Sequence, residues 1–179
     1  MSESIAAMAT APGKASLCVV RISGDDAFSI CEKVFVPYNK NKKVSRRKGY
    51  TAMFGSFYRK GEEIDQAVAL FFRAPHSYTG ENVVEISVHG GYAAADRLLK
   101  ACFEAGAKAA QGGEFTKRAF LNGKMTLTQA EAVMEMINAT SNQALSAAHS
   151  ALEGHLYKRA AKIRDDLLVL VGHISAYTD

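Results

Sequence analysis

The chain has 179 residues, 48% of them hydrophobic and 22% charged, which leaves room for one full domain or a domain with an appendage and excludes several independent cores. This is the composition of an ordinary globular chain, far from disordered or fibrous sequences. A net charge of +4 permits an anionic partner without demanding one. Cys18, Cys31 and Cys102 are odd in number, widely spaced and set in apolar stretches, so they read as reduced and buried rather than as a disulfide framework. The first residues carry an acid and no basic run, and their apolar stretch is broken by Thr10, Pro12, Gly13 and Lys14, which fits no signal peptide. No apolar run reaches transmembrane length. The expectation is a cytoplasmic chain without a membrane partner.

In chain order, strand-like runs rich in β-branched and aromatic residues come first: Ile5 to Thr10, Leu17 to Ser23, Tyr50 to Tyr58, Gln66 to Arg73 and Asn82 to His89. Asp25 to Val34 reads as a helix with two acids at its positive end, and Tyr92 to Ala105 as a second, closed by Gly106. From about Glu114 the strand runs stop and Ala, Leu, Met, Gln and Glu take over. Thr126 with Gln129, and Thr128 with Glu131, each have the spacing of a capping box. Behind them Leu127, Ala130, Met134, Ile137, Ala144 and Ala148 form one apolar stripe, and Gly154 bends or breaks the helix. Leu156, Ala160, Ile163, Leu167, Leu170 and Ile174 then step by fours and threes as a seam that wants a partner helix. Two readings of that seam stand: a sequence cut from a longer protein, or a short homodimeric bundle. The fold class expected is α+β, with a mixed α/β domain over residues 1–124 and the first helices of a helical domain over 125–179.

The familiar enzyme constellations are missing. Gly13-Lys14 and Gly123-Lys124 lack the rest of a phosphate-binding Walker loop, GxSxG is absent, and the five histidines share no ligand spacing, so neither a nucleotide triphosphate nor a metal is expected here. What remains are polar and glycine clusters. Thr10 to Ser16 is a turn between two strands, either a ligand loop or a plain hairpin. Pro75 to Glu81 is rich in groups that line a ligand as easily as they cap their own backbone. His89-Gly90-Gly91 opens a helix, where free N–H groups attract anions unless it is only a tight turn. Glu85 lies in an apolar strand on the face of Val83 and Ser87, and Arg21 poses the same question with opposite sign; a purely structural Arg21–Glu85 pair is the competing explanation. Gly112 to Lys124 is a short basic helix ending in an Asn-Gly turn. Lys40 to Lys48 holds six bases and no acid, either a solvated loop or a phosphate contact.

These clusters, in this order, resemble the N-terminal part of the tRNA-modification GTPase family MnmE, also called TrmE. The match runs through Thr10-Ala11-Pro12-Gly13, Arg21-Ile22-Ser23-Gly24, Ser77-Tyr78-Thr79-Gly80-Glu81, Val84-Glu85-Ile86, His89-Gly90-Gly91, Gly113 to Lys124 and Gln129-Ala130-Glu131-Ala132-Val133. It departs where the family's glycine-rich run is Lys14-Ala15-Ser16-Leu17-Cys18, which implies a stiffer loop, and at Gly112 and Thr126, where the family usually has Pro and Asp. The resemblance implies a homodimerising α/β domain that binds a tetrahydrofolate, similar in fold to folate-dependent aminomethyltransferases, followed by a helical domain into which a G domain is inserted. It implies a whole protein that, with the FAD-binding partner MnmG, modifies the wobble uridine of certain tRNAs, with GTP, magnesium and potassium held by the G domain, which this sequence lacks. Carried over by position, the folate contacts fall on Arg21, Glu85 and Lys124, with 5-formyltetrahydrofolate or a related one-carbon folate as ligand and no catalytic or metal residue in this stretch.

Two further readings compete. One is a dimerising, tRNA- or partner-docking module without folate, in which Lys40 to Lys48 and the Lys117, Arg118 pair contact phosphates. The other, a free-standing folate-dependent transferase, is disfavoured because no nucleophile or base constellation is visible.

Overall fold

The structure, a computed structural model, describes residues 3–11, 13–41 and 43–178, with side chains except at 155–158 and 176–178. Pro12 of the first turn, Lys42 of the basic run, Met1, Ser2 and Asp179 lie outside the described residues, as does the Leu156 side chain of the seam. The chain divides into two compact units, Met1–Lys124 and Met125–Asp179. Among the described residues no helix is long and apolar enough to cross a membrane.

The first unit is a seven-stranded sheet with strands β1 Ile5–Met8, β2 Leu17–Ser23, β3 Phe35–Pro37, β4 Thr51–Arg59, β5 Glu62–Phe72, β6 Val83–His89 and β7 Lys108–Ala109. Their order is β3-β4-β5-β6-β2-β1-β7, and every pairing is antiparallel except β1 with β7. Alternation turns Cys18, Val20 and Ile22 of β2, Val84, Ile86 and Val88 of β6, and Ala67, Ala69 and Phe71 of β5 into one core. Helices α1 (Ala27–Val34) and α2 (Tyr92–Glu104) cover that face. They do so through Phe28, Ile30, Cys31 and Val34, and through Ala95, Leu98 and Cys102, the spacings of a single helical stripe. The opposite face carries Val19, Arg21, Phe54, Val68, Glu85 and Ser87, and leaves Leu17, Phe54 and Val68 exposed. All three cysteines are free and buried. Desolvation pushes the thiols of Cys31 and Cys102 up, the latter to about 12, so both stay protonated and inert at neutral pH.

Several expectations need correction. The two acids precede α1 rather than opening it: Asp26 is its N-cap without a side-chain cap bond, and the Asp26 N–H donates to Ser4 Oγ at 3.0 Å. Strands β3 and β7 were not expected. With three and two residues they are too short to show alternation, and β3 contains a proline that only an edge strand accommodates.

The second unit contains α4 (Leu127–Asn138), α5 (Asn142–Leu152) and α6 (His155–Thr178). Thr126 caps α4 in a full capping box with Gln129, whereas Thr128 lies inside the helix and caps nothing. The single apolar stripe is in fact two helices. Ala139 and Ser141 are extended, and Ser141 starts α5 by accepting from the Ala144 N–H at 3.1 Å, a local bond that competes with continuing the helix. Gly154, at φ +70°, closes α5. On α6 the seam residues Ile163, Leu167, Leu170 and Ile174 are exposed, but so are Leu168, Val169 and Val171, so the apolar surface is wider than a seam. Replacing Thr126 with alanine removes the box and is expected to cost about 1 kcal/mol in urea unfolding of this unit; an unchanged midpoint contradicts that role.

Candidate functional site

The sheet register places Arg21 of β2 directly opposite Glu85 of β6, in the same row as Leu70 of β5. Arg21 Nε donates to Glu85 Oε1 at 2.7 Å, and the side chains are 24% and 21% exposed, so the pair is largely covered yet reachable. Two aromatic rings wall it: the Arg21 guanidinium carbon lies 5.2 Å from the Tyr78 centroid and 5.3 Å from that of Phe115. The Tyr78 hydroxyl meets Thr116 Oγ1 at 2.9 Å, tying the β5–β6 loop to α3 (Glu114–Leu121). Among the described residues the two terminal guanidinium nitrogens of Arg21 and Glu85 Oε2 have no hydrogen-bond partner. The pair therefore offers donors, acceptors and two flat apolar walls to whatever enters.

Lys124 reaches the same loop by another route. Its Nζ donates to the Pro75 carbonyl at 3.1 Å, and its stem lies beside Gly80. No hydrogen bond or ion pair among the described residues joins it to Arg21 or Glu85. Of the three expected contacts, the structure thus brings two into direct contact and sets the third on the adjoining loop.

A buried polar network holds these parts. Ser23, two residues beyond Arg21, donates from Oγ to Glu81 Oε2 at 2.7 Å and meets Thr79 Oγ1 at 2.7 Å. Arg118 of α3 donates to both Glu81 oxygens (3.2 and 3.1 Å), to Glu114 Oε1 (3.0 Å) and to the Glu3 carbonyl (2.8 Å). Arg118 and Glu81 are only 14% and 10% exposed. Asn122 Nδ2 adds a bond to the Thr79 carbonyl at 2.7 Å. The Gln111 N–H, then Arg118, hold the Glu114 carboxyl below its ordinary value. Arg118 is therefore not a free phosphate contact, which corrects the docking reading at that residue. Loop residues Ser77 and Thr79 also cap their own backbone, with Ser77 Oγ donating to the Glu81 carbonyl at 2.6 Å.

The His89-Gly90-Gly91 turn is likewise engaged from within. The His89 N–H donates to Asp65 Oδ2 at 2.8 Å, His89 Nδ1 meets Asp65 Oδ1 at 2.9 Å, and the Gly90 N–H donates to the Ser16 carbonyl at 2.7 Å. The His89 amide thus holds the Asp65 carboxylate of β5, and the Gly90 amide holds the β1–β2 loop. Among the described residues no group of three or more His, Cys, Asp or Glu side chains has the arrangement of a metal site.

Sequence reasoning did not single out Tyr78, Phe115, Glu81 or Arg118 for the roles they have here. Only the fold shows that Tyr78 and Phe115 face Arg21 while Arg118 meets Glu81.

The family profile described as "GTP-binding protein TrmE N-terminus" matches residues 4–124, and that described as "MnmE helical domain" matches 127–179. The chain is 43% identical over 178 residues to the tRNA modification GTPase MnmE of Symbiobacterium thermophilum, covering 99% of this chain and 39% of that protein. It is 46% identical over 179 residues to the protein of that name from Dichelobacter nodosus (99% and 38%). With that of Akkermansia muciniphila it shares 45% over 175 residues (98% and 38%). The chain thus spans about two fifths of the length of these curated relatives.

Proposed function

The chain belongs to the MnmE (TrmE) family, and from that premise we propose that it is the folate-binding and homodimerising part of a GTPase that, with MnmG, modifies the wobble uridine of certain tRNAs in the cytoplasm. In this reading GTP, magnesium and potassium belong to a G domain outside the matched residues, and this chain alone does not hydrolyse GTP.

The observation that carries the proposal is the Arg21–Glu85 pair, walled by Tyr78 and Phe115, with hydrogen-bonding capacity left over on both partners. That donor and acceptor set suits the flat, amino-bearing edge of a pterin: a carboxylate oxygen has two lone pairs, so Glu85 can accept from the ligand while Oε1 stays bound to Arg21. Arg21 thereby fixes the carboxylate as well as offering its own remaining N–H groups. Lys124, poised on the Pro75 carbonyl, is the cation for the folate's carbonyl or carboxylate groups. When bound, the folate would supply a one-carbon unit, which the residues here would bind and orient. Homodimerisation finds support in the uncovered apolar surface of Leu17, Phe54 and Val68 on the same sheet face. Titration with 5-formyltetrahydrofolate tests the reading: saturable binding supports it, and no binding by the folded chain overturns it.

A further inference from the structure

The basic run ahead of β4 is the feature that the folate reading leaves unused. The chain enters it from β3 at Tyr38, whose N–H donates to the Phe54 carbonyl at 3.0 Å, and leaves it at Tyr50, whose N–H donates to the Phe71 carbonyl at 2.8 Å. Between these points residues 44–47 are anchored. Val44, which opens the 3-10 turn Val44–Arg46, is 1% exposed in the core. Arg73 donates to the carbonyls of Arg47 and Ser45, each at 2.7 Å, with its guanidinium 4.4 Å from the Phe28 ring centroid. These anchors take main-chain carbonyls and one apolar side chain. Lys40, Lys43, Arg46 and Lys48 are exposed and Arg47 is half-buried.

Among the described residues none of these five cations has an ion pair, and the Arg47 Nε is buried without an acceptor. Glu32 of α1 meets the segment at the Ser45 hydroxyl, at 3.3 Å. A set of uncompensated cations attracts a polyanion, and holding residues 44–47 in place removes part of the ordering cost of binding one.

A second observation specifies the polyanion. Tyr38 and Tyr50, the aromatics at the two ends of the run, are 83% and 73% exposed. Each is propped by a ring on the neighbouring strand: Tyr38 by Phe54 at 6.2 Å, and Tyr50 edge-on by Phe72 at 5.9 Å. Tyr50 is held at φ +58°, a left-handed conformation that bulky residues rarely adopt. Exposed, propped aromatic rings beside phosphate-seeking cations are the arrangement that takes unpaired bases, because every base has a face to stack while a duplex keeps its faces covered.

We propose that residues 38–41 and 43–50 form a docking surface for single-stranded nucleic acid, in which Lys40, Lys43, Arg46 and Lys48 contact phosphates and Tyr38 and Tyr50 stack on bases. None of Arg21, Glu85 and Lys124 takes part, so this surface is independent of folate binding, while Phe54, which props Tyr38, also belongs to the apolar face assigned above to a second copy. That the natural strand is RNA rests on the tRNA assignment above.

Fluorescence anisotropy of the chain with a labelled oligouridylate of about 12 nucleotides tests it. With four phosphate contacts the affinity is expected to fall roughly 50-fold between about 50 and 200 mM KCl. The triple variant Lys40→Ser, Lys43→Ser, Arg46→Ser should bind more weakly, with a logarithmic salt slope shallower by about two. Tyr38→Ala with Tyr50→Ala should weaken binding at least about tenfold without changing the slope, and Tyr38→Phe with Tyr50→Phe should restore it. Binding of a deoxythymidine strand in the same way also upholds the surface, and a preference for the uridine strand assigns it to RNA. Equal binding of duplex RNA or heparin, an unaltered slope in the triple variant, or no binding at the lower salt overturns the proposal. So does a tyrosine variant whose defect is a change in molar mass, since a second copy of the chain is then what covers the rings.

Discussion

Replacing Arg118 with methionine is expected to destabilise the Met1–Lys124 unit by about 3 kcal/mol or more, because it removes the cation shared by two carboxylates and leaves them in a largely covered place. Glu81 is 10% exposed and loses both bonds from Arg118, while Glu114 and the Glu3 carbonyl lose theirs. Methionine keeps much of the stem's packing, so the loss reports the charge rather than a cavity. The double variant Arg118→Met, Glu81→Gln should unfold at higher urea than the single one, since it no longer buries an unpaired charge. The pH dependence has a definite sign. The Glu114 carboxyl is held low by the Gln111 N–H and then by Arg118. Its contribution is therefore complete above its unfolded value of about 4.3 and lost as pH falls through the lower folded one, so the variant should lose less stability on acidification. A single-variant loss under about 1 kcal/mol contradicts the account of the network.

Gly90→Ala is expected to be at least as damaging. An added Cβ there would overlap the Ala15 carbonyl group, so two backbone segments must separate. The displaced loop also takes with it the bond from the Gly90 N–H to the Ser16 carbonyl. Overpacking against side chains costs about 1–3 kcal/mol, and against backbone that cannot rotate away about 3 kcal/mol or more is expected. The comparison is Gly112→Ala, where nothing lies within 4 Å and φ is not in the left-handed region, and where near-neutral stability is expected. Thermal unfolding of the two variants side by side checks this; equal midpoints contradict it. The requirement at residue 90 gives the His89-Gly90-Gly91 turn a structural reason to carry glycine, independent of any ligand.

Runs of β-branched and aromatic residues made β1, β2, β4, β5 and β6 legible, and the acids ahead of α1 and Gly106 after α2 marked the first two helices. The break after Asn138 was hidden: Ile137 and Ala144 are seven apart, so the stripe continues in register across a segment where Ser141 starts a new helix. At the candidate site, alternation and opposite charge already suggested that Arg21 and Glu85 pair. The sheet register, which joins residues 64 apart, is what brings that pair together. The aromatic walls needed more still, since Tyr78 comes from a loop and Phe115 from α3, and nothing local ties either to β2. The same holds for Arg118, which in the sequence is one of two adjacent bases and in the fold is the centre of a buried network while Lys117 stays exposed.

The measurement that bears most directly on the central claim is a calorimetric titration of the chain with 5-formyltetrahydrofolate, run beside Glu85→Gln, with molar mass recorded by light scattering. The account predicts saturable binding to a dimer, weakened at least about tenfold in Glu85→Gln, since a carboxylate that accepts from the ligand is replaced by an amide of the same shape. Equal affinity in the two proteins, both folded, would contradict it and leave Arg21 and Glu85 as a structural pair.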